Sequence, residues 1–564
     1  MMRTSVRAGI LLMPLLLLGC HEKDRGPAFD LVIRGARIVD GTGNPWFAGD
    51  VGIKGDTILA IGDLKGRSAG RTITAGGLVL APGFIDMHTH CDSGFGRTET
   101  RANVNYLTQG VTTVVTGNCG YGPTSIRETA ALWDKAGMGT NACILLGLGT
   151  VREHVMGDAN RPPTPEEMAR MKALIGKAME EGAFGVSTGL QYVPGRYAAT
   201  GEIEELARTA ADLGGIYSSH LRSEEEDLLP AVREAIQIGD QAGIRINISH
   251  LKSSGRPNWG RLEAAVGLIA EARARGIEVT ADIYPYNKSA TTTLETIFNI
   301  PPDLEPLAGI ERKLAVPGLT AAERDTLDAE YAAQLAKALA DPGAREKIRK
   351  LTSDGAPNKT NWVAKGGWDN FTIMFSRTEP GLMGRMFRDL AAERKRPEFE
   401  IAADLYVREG RDLLISLSAM AEEDVRLGLS QKWTMISSDG ESMAPGTAER
   451  VHPRNYGTFP RVLGVYARDV GLFGLEEAVR KMTSLPAQTL RIKDRGVIRE
   501  GAKADLVIFD PSKIRDEATF LEPHRLSTGI AFVLINGKIS LENGKSTGAL
   551  NGRTILSFHF LGIY

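Results

Sequence analysis

The feature that most constrains this chain is a regular alternation of short apolar strands and helices that begins near residue 82. Helical segments such as 166–180, 202–213, 227–241 and 262–275 separate the predicted strands. The eight predicted strands are residues 83–90, 111–117, 142–147, 183–189, 216–220, 245–250, 277–284 and 434–439. Alternation of this kind is typical of a parallel sheet, and eight repeats predict a TIM-like (β/α)8 barrel over residues 82–488.

The two ends of the chain are different in character from this middle region. Residues 29–81 contain short strands broken by Gly, Asn and Asp, and similar strands return at 504–509 and 530–537. We predict one small β-sandwich or β-barrel domain built from both termini, residues 29–81 and 489–564. Residues 301–431 are too long for one crossover, and we expect an insertion that covers the barrel mouth.

The first 28 residues are predicted not to belong to the fold. Two arginines precede the apolar run 8–18, and Gly19 precedes Cys20, which predicts a secretory signal peptide over residues 1–19. The Leu-Leu-Gly-Cys end resembles a bacterial lipobox. That resemblance implies cleavage before Cys20, lipidation of its thiol, a polar tether over 20–28, and an outer-membrane anchor on the periplasmic side. The alternatives are an uncleaved anchor and a plain signal peptide followed by a chance cysteine.

Composition excludes several classes of partner. Hydrophobic residues make up 42% of the chain, charged residues 24%, and the formal net charge is -2. These values are ordinary for a soluble protein with a large core. They predict no electrostatic attraction to nucleic acid or to an anionic membrane, so we expect membrane contact only through the lipid anchor. Besides Cys20 the chain has three cysteines, which is too few for a disulfide scaffold in an exported protein.

Six side chains that can bind a metal or transfer a proton lie at or just past the carboxyl ends of predicted strands. They are His88, His90, Cys119, His220, His250 and Asp439. Strand side chains alternate, so the two histidines of the first strand point to the same face. The carboxyl ends of barrel strands form the active site in this architecture. The strand order therefore predicts one shared site rather than scattered polar residues.

Zinc is the metal that these residue types favour. A catalytic zinc site holds about three His, Cys or acidic ligands and a water molecule, whose pKa the metal lowers to roughly 7. Cys119, His220 and His250 would fill such a site, and the two first-strand histidines could complete it or hold a second ion. Asp439 could then move a proton between water and a leaving nitrogen. Alone, each residue has a structural explanation: a buried core histidine, a core cysteine or a turn aspartate. Their joint placement favours the site.

The motif Pro82-Gly83-Phe84-Ile85-Asp86-Met87-His88-Thr89-His90 resembles the first-strand motif of the amidohydrolase superfamily. Most two-metal members place a carboxylated lysine on the fourth strand, whereas residues 183–192 contain no lysine. That absence, together with Cys119, resembles the N-acyl-D-amino-acid deacylase (D-aminoacylase) family. Further matching motifs lie at 187–195, 219–222, 249–252, 282–286, 438–440 and 452–459. The resemblance covers about residues 29–539.

The resemblance implies a role for each matched residue. It makes Cys119, His220 and His250 a tight zinc site, His88 and His90 a weaker second site, and Asp439 the catalytic acid/base. It also implies that the substrate α-carboxylate is held by Lys252, Tyr284 and Arg454, with Ser289 lining the pocket. The implied reaction is zinc-dependent hydrolysis of a linear amide: an N-acyl-D-amino acid and water give a carboxylate and a D-amino acid.

Two other functions stay open from the sequence. One is a different amidohydrolase reaction, such as opening of a cyclic amide or cleavage of a dipeptide. The other is a non-catalytic barrel lipoprotein that serves as a binding module. Cys91 stands where the family usually has an acidic residue, and it could form a disulfide with Cys119 or offer a further thiolate.

Overall fold

The computed structural model describes most of the chain after the predicted leader. The described residues are 28–289, 291–314, 321–356, 361–417, 420–444, 446, 451–520 and 522–557. The predicted signal peptide, Cys20 and the tether up to residue 27 lie outside these ranges. Within them, no helix is both long enough and apolar enough to cross a bilayer.

The central architecture is a parallel barrel with eight strand positions in chain order. Its strands are Phe84–Asp86, Val111–Thr116, Asn141–Ile144 with Leu146–Gly147, Gly185–Gly189, Ile216–His220, Arg245–Ile248, Val279–Ile283 and Thr434–Ile436. The third position is split in two at Leu145. A parallel bridge between Thr89 and Gly440 joins the last position to the first. The predicted (β/α)8 fold class is thereby confirmed.

Helices surround these strands. Their bounds are Asp92–Phe95, Val104–Leu107, Ile126–Ala136, Leu148–Met156, Pro165–Glu180, Thr200–Ala211, Leu228–Ala242, Leu262–Ala274, Glu422–Ser430, Arg454–Arg461, Leu475–Met482 and Ser484–Thr489. Local sequence fixes several ends. A capping box between Thr164 and Glu167 begins one helix, and Gly243, in a left-handed conformation, ends another. The strands are buried on both faces, as expected of a parallel sheet covered by helices.

Both termini contribute to one nine-stranded sheet, as the fold class predicted. Its strands are Phe29–Ile38, Phe47–Lys54, Thr57–Gly62, Ala69–Thr74, Val79–Pro82, Leu506–Phe509, Ile530–Ile535, Lys538–Glu542 and Lys545–Ser546. The two halves meet where Leu80 pairs antiparallel with Ile508. Asp56 adds an ion pair with Lys503 across the same junction.

The end of the chain differs from the predicted β domain over 489–564. Gly552 bridges Met138, Thr554 bridges Ala142, and the Ser557 N–H donates to the Gly182 carbonyl. Residues 552–557 therefore run along the barrel wall. Their backbone groups bond to residues at or just before the third and fourth barrel strands, and this contact is not visible in the sequence pattern.

The insertion has its own small sheet and core. A three-stranded sheet consists of Thr291–Thr293, Thr372–Phe375 and Leu414–Ser416. Its helices are Leu307–Leu314, Ala321–Ala340, Pro342–Asp354, Trp362–Gly366, Phe387–Arg394 and Glu398–Glu409.

The observed insertion bounds differ from the predicted 301–431. The sheet begins at Thr291, before the predicted start. The helix Glu422–Ser430 belongs to the barrel wall, because Val425 and Leu429 are buried in the barrel core.

Candidate active site

The carboxyl ends of the barrel strands bring all six predicted metal and acid/base residues to one place. His220 is the last residue of its strand, and His250 lies two residues past Ile248. Cys119 and Asp439 each lie three residues past the end of a strand. The barrel topology thus brings together residues that lie far apart along the chain.

One sulfur and two imidazoles form the tightest group of donors. Cys119 Sγ lies 3.7 Å from His220 Nδ1 and 3.6 Å from His250 Nε2, and these two nitrogens are 2.9 Å apart. Tetrahedral zinc with bonds of about 2.3 Å to sulfur and about 2.0–2.1 Å to nitrogen separates S and N ligands by about 3.6 Å. The donor set therefore fits a zinc ion in chemistry and in its sulfur–nitrogen spacing.

The two first-strand histidines flank this group and approach Asp439. His88 Nε2 lies 3.4 Å from Cys119 Sγ and 3.6 Å from Asp439 Oδ1. His90 Nε2 lies 3.2 Å from the same carboxylate oxygen. The donor atoms of His88, His90 and Cys119, and those of His88, His250 and Asp439, form two further groups that can hold an ion. A second metal position beside the first is geometrically available.

Three of these residues have a left-handed backbone. The φ angles are 54° at Cys119, 34° at His250 and 50° at Asp439. This region is sparsely populated for residues other than glycine and costs of order 1–3 kcal/mol each. The tight reversals directly after the strands aim all three side chains at the barrel axis.

The outward nitrogens of the imidazoles face oxygen atoms that sequence reasoning missed. His220 Nε2 lies 2.9 Å from the side-chain oxygen Gln191 Oε1, and His250 Nδ1 lies 2.9 Å from Glu224 Oε1. His88 Nδ1 lies 3.7 Å from Asp282 Oδ1. The oxygens facing His220 and His250 are within hydrogen-bond distance and can fix the tautomer that leaves the other nitrogen free for a metal. His88 Nδ1 has no hydrogen-bond partner among the described residues. The available signal was weak: Gln191 and Glu224 lie shortly after strand ends.

Electrostatics favour the metal-binding form of Cys119. Burial alone would raise the pKa of the thiol, but the charge of His88 and hydrogen bonds from His220 and His250 lower it well below its usual value. A thiolate is the form that ligates zinc. The environment of Cys119 therefore favours the thiolate form, which can bind a metal cation.

The predicted substrate residues line the same cavity as the metal donors. Lys252, Tyr284, Ser289 and Arg454 surround a space of about 340 Å³ together with Cys119 and Asp439. Lys252 Nζ lies 5.7 Å and Arg454 Cζ 5.0 Å from the Tyr284 ring centre. The hydroxyls of Tyr284 and Ser289 are buried, and neither has a hydrogen-bond partner among the described residues. Two cations and two unused hydroxyls suit a carboxylate ligand.

Asp439 is held as a carboxylate beside these cations. Arg454 Nη1 lies 2.8 Å from Asp439 Oδ2. Burial alone would raise the pKa of Asp439, but Arg454 and His90 hold it well below its usual value. Its Oδ1 faces the histidines while Oδ2 is occupied by the guanidinium.

Cys91 is separate from the metal donors. It is a free, buried cysteine, as is Cys119, so the structure contradicts a disulfide between them. Burial raises the pKa of the Cys91 thiol to about 12, and the polar groups around it are Ser442, Tyr106 and Thr89. Cys91 is a core residue rather than a further thiolate ligand.

Sequence comparison identifies the relatives of this chain. A sequence profile of the amidohydrolase family matches residues 71–345 and 387–541. D-aminoacylase of Alcaligenes xylosoxydans xylosoxydans is 35% identical over 557 residues, covering 95% of this chain and 99% of the relative. N-acyl-D-glutamate deacylase of the same organism is 34% identical over 531 residues, covering 90% and 93%.

Solved structures agree with this relationship. A crystal structure of D-aminoacylase superposes with a TM-score of 0.71 and 33% identity, covering 94% of this chain and all of that one. The N-acyl-D-glutamate deacylase of Bordetella bronchiseptica, solved with zinc and a phosphonate inhibitor, gives a TM-score of 0.71 at 31% identity, covering 94% and 100%. The chain therefore belongs to the amidohydrolase family, in the group that contains D-aminoacylase and the N-acyl-D-amino-acid deacylases.

Proposed function

We propose that this protein is a zinc-dependent hydrolase of N-acyl-D-amino acids, releasing a carboxylate and a D-amino acid. One observation carries the proposal. A Cys119–His220–His250 donor group and a buried carboxylate share a cavity with two cations and a free phenol that suit an α-carboxylate. The cavity can therefore hold a metal beside the acyl group and the acid group of the same substrate.

Zinc held by Cys119, His220 and His250 would act as a Lewis acid for the acyl carbonyl and would lower the pKa of water. The protein supplies the proton transfer. Asp439 Oδ1 faces His88 and His90 at the metal donors, and it is the oxygen placed to accept a proton and return it to the leaving nitrogen, since Oδ2 is held by Arg454. Lys252, Tyr284 and Arg454 orient the substrate through its carboxylate, and Ser289 lies within reach of the same cavity.

The metal count follows from the relatives. A solved D-aminoacylase is described as having a binuclear metal centre with one-metal activation and second-metal attenuation. In this chain we assign the activating ion to Cys119, His220 and His250. His88 and His90 would hold a weaker second ion beside it.

Activity on a substrate panel tests this function. The zinc-loaded protein is assayed on N-acetyl-D- and N-acetyl-L-amino acids and on hydantoins, dihydroorotate and isoaspartyl dipeptides. We expect turnover of the D-amino acid derivatives and rates at least about tenfold lower on the others, a difference of 1.4 kcal/mol in transition-state binding. Faster turnover of a cyclic amide or a dipeptide would replace the proposal. A protein that neither binds zinc nor hydrolyses any of these compounds would be a binding module.

We also propose that the mature protein is exported and anchored by lipid on Cys20, on the periplasmic side of the outer membrane. The support is the sequence of the first 28 residues. A tether over residues 20–28 reaches at most about 30 Å, which keeps the β domain near the bilayer. Mass spectrometry of the mature amino terminus tests this. We expect a diacylglyceryl cysteine, and release of the Cys20→Ala protein from membranes. A mature chain that begins elsewhere would contradict the anchor.

A further inference from the structure

Glu224 is a buried carboxylate between the metal donors and the substrate-binding cations. We propose that Glu224 is a positioning residue shared by His250 and Lys252, so that one side chain prepares both the metal site and the α-carboxylate site. The substrate half of this inference rests on the proposed function, whereas the metal half rests on the donor geometry alone.

The contacts of a single oxygen carry the argument. Glu224 Oε1 lies 2.9 Å from His250 Nδ1 and 2.5 Å from Lys252 Nζ. The two nitrogens are also 2.7 Å apart, so Nδ1 of His250 can either accept from the Lys252 ammonium or donate to this oxygen. The side chains of Glu224 and Lys252 are each only 7% exposed, and that of His250 is 2% exposed. Water therefore has little access to replace the carboxylate.

The direction of these hydrogen bonds determines the metal-binding atom. When Nδ1 of His250 donates to Glu224, Nε2 keeps its lone pair. That nitrogen is the atom that faces Cys119 Sγ at 3.6 Å and His220 Nδ1 at 2.9 Å. By accepting from Nδ1 and drawing the Lys252 ammonium to itself, Glu224 favours this tautomer over the one in which Nδ1 accepts from Lys252.

The same carboxylate places Lys252. A buried ammonium without a partner is costly, so Lys252 follows the position of its counter-ion. The backbone reinforces this arrangement, because the Ser254 N–H donates to the Glu224 carbonyl at 2.8 Å. The loop that carries Glu224 is therefore fastened to the loop that carries His250 and Lys252. Movement of Glu224 would displace both residues together.

Glutamine cannot perform both tasks equally well. Its amide oxygen can accept from both nitrogens, but the neutral amide lacks the charge that stabilises the buried Lys252 ammonium and strengthens the hydrogen bond from His250. Glu224→Gln is therefore the informative variant. Glu224→Asp keeps the charge but shortens the side chain by one methylene, so that it can satisfy only one of the two partners well.

The first measurement is the zinc dissociation constant, obtained by competition with a chelator and without turnover. Loss of an outer partner of a ligating histidine typically weakens metal affinity 10- to 100-fold, and we expect a change in that range for Glu224→Gln. Glu202→Gln is the control, because Glu202 forms an equally buried ion pair with Arg152 at 3.0 Å outside the cavity. We expect it to lower stability but to keep zinc affinity.

The second measurement is KM for N-acetyl-D-leucine at saturating zinc. We expect KM to rise at least about tenfold for Glu224→Gln, because Lys252 loses its position on the substrate carboxylate. Glu202→Gln should keep the wild-type KM. If Glu224→Gln does not fold, the Glu224→Asp protein takes its place in both measurements, with smaller changes in the same direction.

The outcomes separate the two proposals. Zinc affinity and KM that both stay within twofold of wild type in a folded Glu224 variant would overturn the inference. A change in only one of the two would overturn the shared role. If the wild-type protein hydrolyses no N-acyl-D-amino acid, the proposed function is wrong, and zinc affinity still decides the role of Glu224 at His250.

Discussion

Asp439 and Arg454 form an ion pair inside the active-site cavity, with 2.8 Å between Asp439 Oδ2 and Arg454 Nη1. Their side chains are 13% and 10% exposed, so the pair is largely screened from solvent. The pair connects the acid/base candidate to a residue that we expect to hold the substrate carboxylate. Substrate binding at Arg454 would therefore change the charge next to Asp439. Substrate binding and proton transfer should thus be coupled.

We expect Asp439→Asn to remove most of the activity. Asparagine keeps the shape and the contact with Arg454 but cannot accept a proton, and positioned acid/base groups contribute about 10²- to 10⁴-fold. The measurement is kcat on N-acetyl-D-leucine at saturating zinc, with bound zinc quantified in the same sample. Near wild-type kcat would remove Asp439 from the mechanism.

Tyr284→Phe should weaken substrate binding selectively. Its buried hydroxyl has no partner among the described residues, and a hydrogen bond to a carboxylate contributes about 1.5–3 kcal/mol, or at least about tenfold in KM. Tyr286→Phe is a matched control, because its hydroxyl is likewise buried without a described partner but does not line the active-site cavity. Equal KM changes in the two variants would argue against a carboxylate contact at Tyr284.

The two cysteines near the first barrel strand should behave differently. Cys119→Ser removes the only sulfur of the Cys119–His220–His250 donor group, and we expect zinc affinity to fall by more than about 100-fold. This loss exceeds the one expected when a hydrogen-bond partner of a ligating histidine is removed. Cys91→Ser should keep wild-type zinc affinity, because Cys91 contacts Tyr106 and Ser442 instead. Zinc loss in the Cys91 variant would contradict its assignment to the core.

The cavity wall predicts a preference for apolar substrate side chains. Among the described residues, the lysine and arginine that line it are Lys252 and Arg454, and both are assigned to the α-carboxylate. Other described wall residues are Tyr121, Tyr192, Trp362 and Leu417. A second substrate carboxylate would lose water without gaining a free cation among them. We expect kcat/KM for N-acetyl-D-leucine to exceed that for N-acetyl-D-glutamate at least about tenfold, and the reverse order would show that another basic residue reaches the substrate.

A buried lysine far from the site should produce a measurable pH dependence of stability. Lys481 is fully buried and donates to the carbonyls of Gln431 and Thr434. Burial lowers its pKa from 10.5 to about 8. Between these values the unfolded chain binds the proton and the folded chain does not, so the free energy of unfolding should increase as pH rises from 8 to 10.5.

Denaturant unfolding across this range tests the prediction. The contribution has an upper limit of about 3 kcal/mol, and Lys481→Met should abolish it. Lys513→Met changes an exposed lysine, with a side chain 78% exposed, and should keep the wild-type dependence. An identical pH profile in wild type and Lys481→Met would exclude Lys481 as its source.

The sequence predicted the barrel and its site donors because each donor ends an apolar strand. In a parallel barrel, residues at the carboxyl ends of the strands surround the active site. His220 and Cys119, about 100 residues apart, could therefore be assigned to one site without any contact information.

The outer partners could not be predicted in the same way. Gln191 and Glu224 reach the imidazoles of neighbouring strands from loops, and Asp282 reaches His88 from within the strand Val279–Ile283. These approaches depend on tertiary packing. The insertion bounds likewise depend on tertiary packing. The helix Glu422–Ser430 is as polar as the insertion helices, and only the burial of Val425 and Leu429 assigns it to the barrel.

The left-handed backbone at Cys119, His250 and Asp439 has a consequence for protein engineering. Glycine adopts this conformation without steric cost, so glycine at any of the three positions would relieve local strain while deleting a chemical group. A library screened for thermal stability alone should accumulate glycine at these three positions. The selected proteins would be more stable but inactive. Selection for turnover must accompany any such screen of this chain.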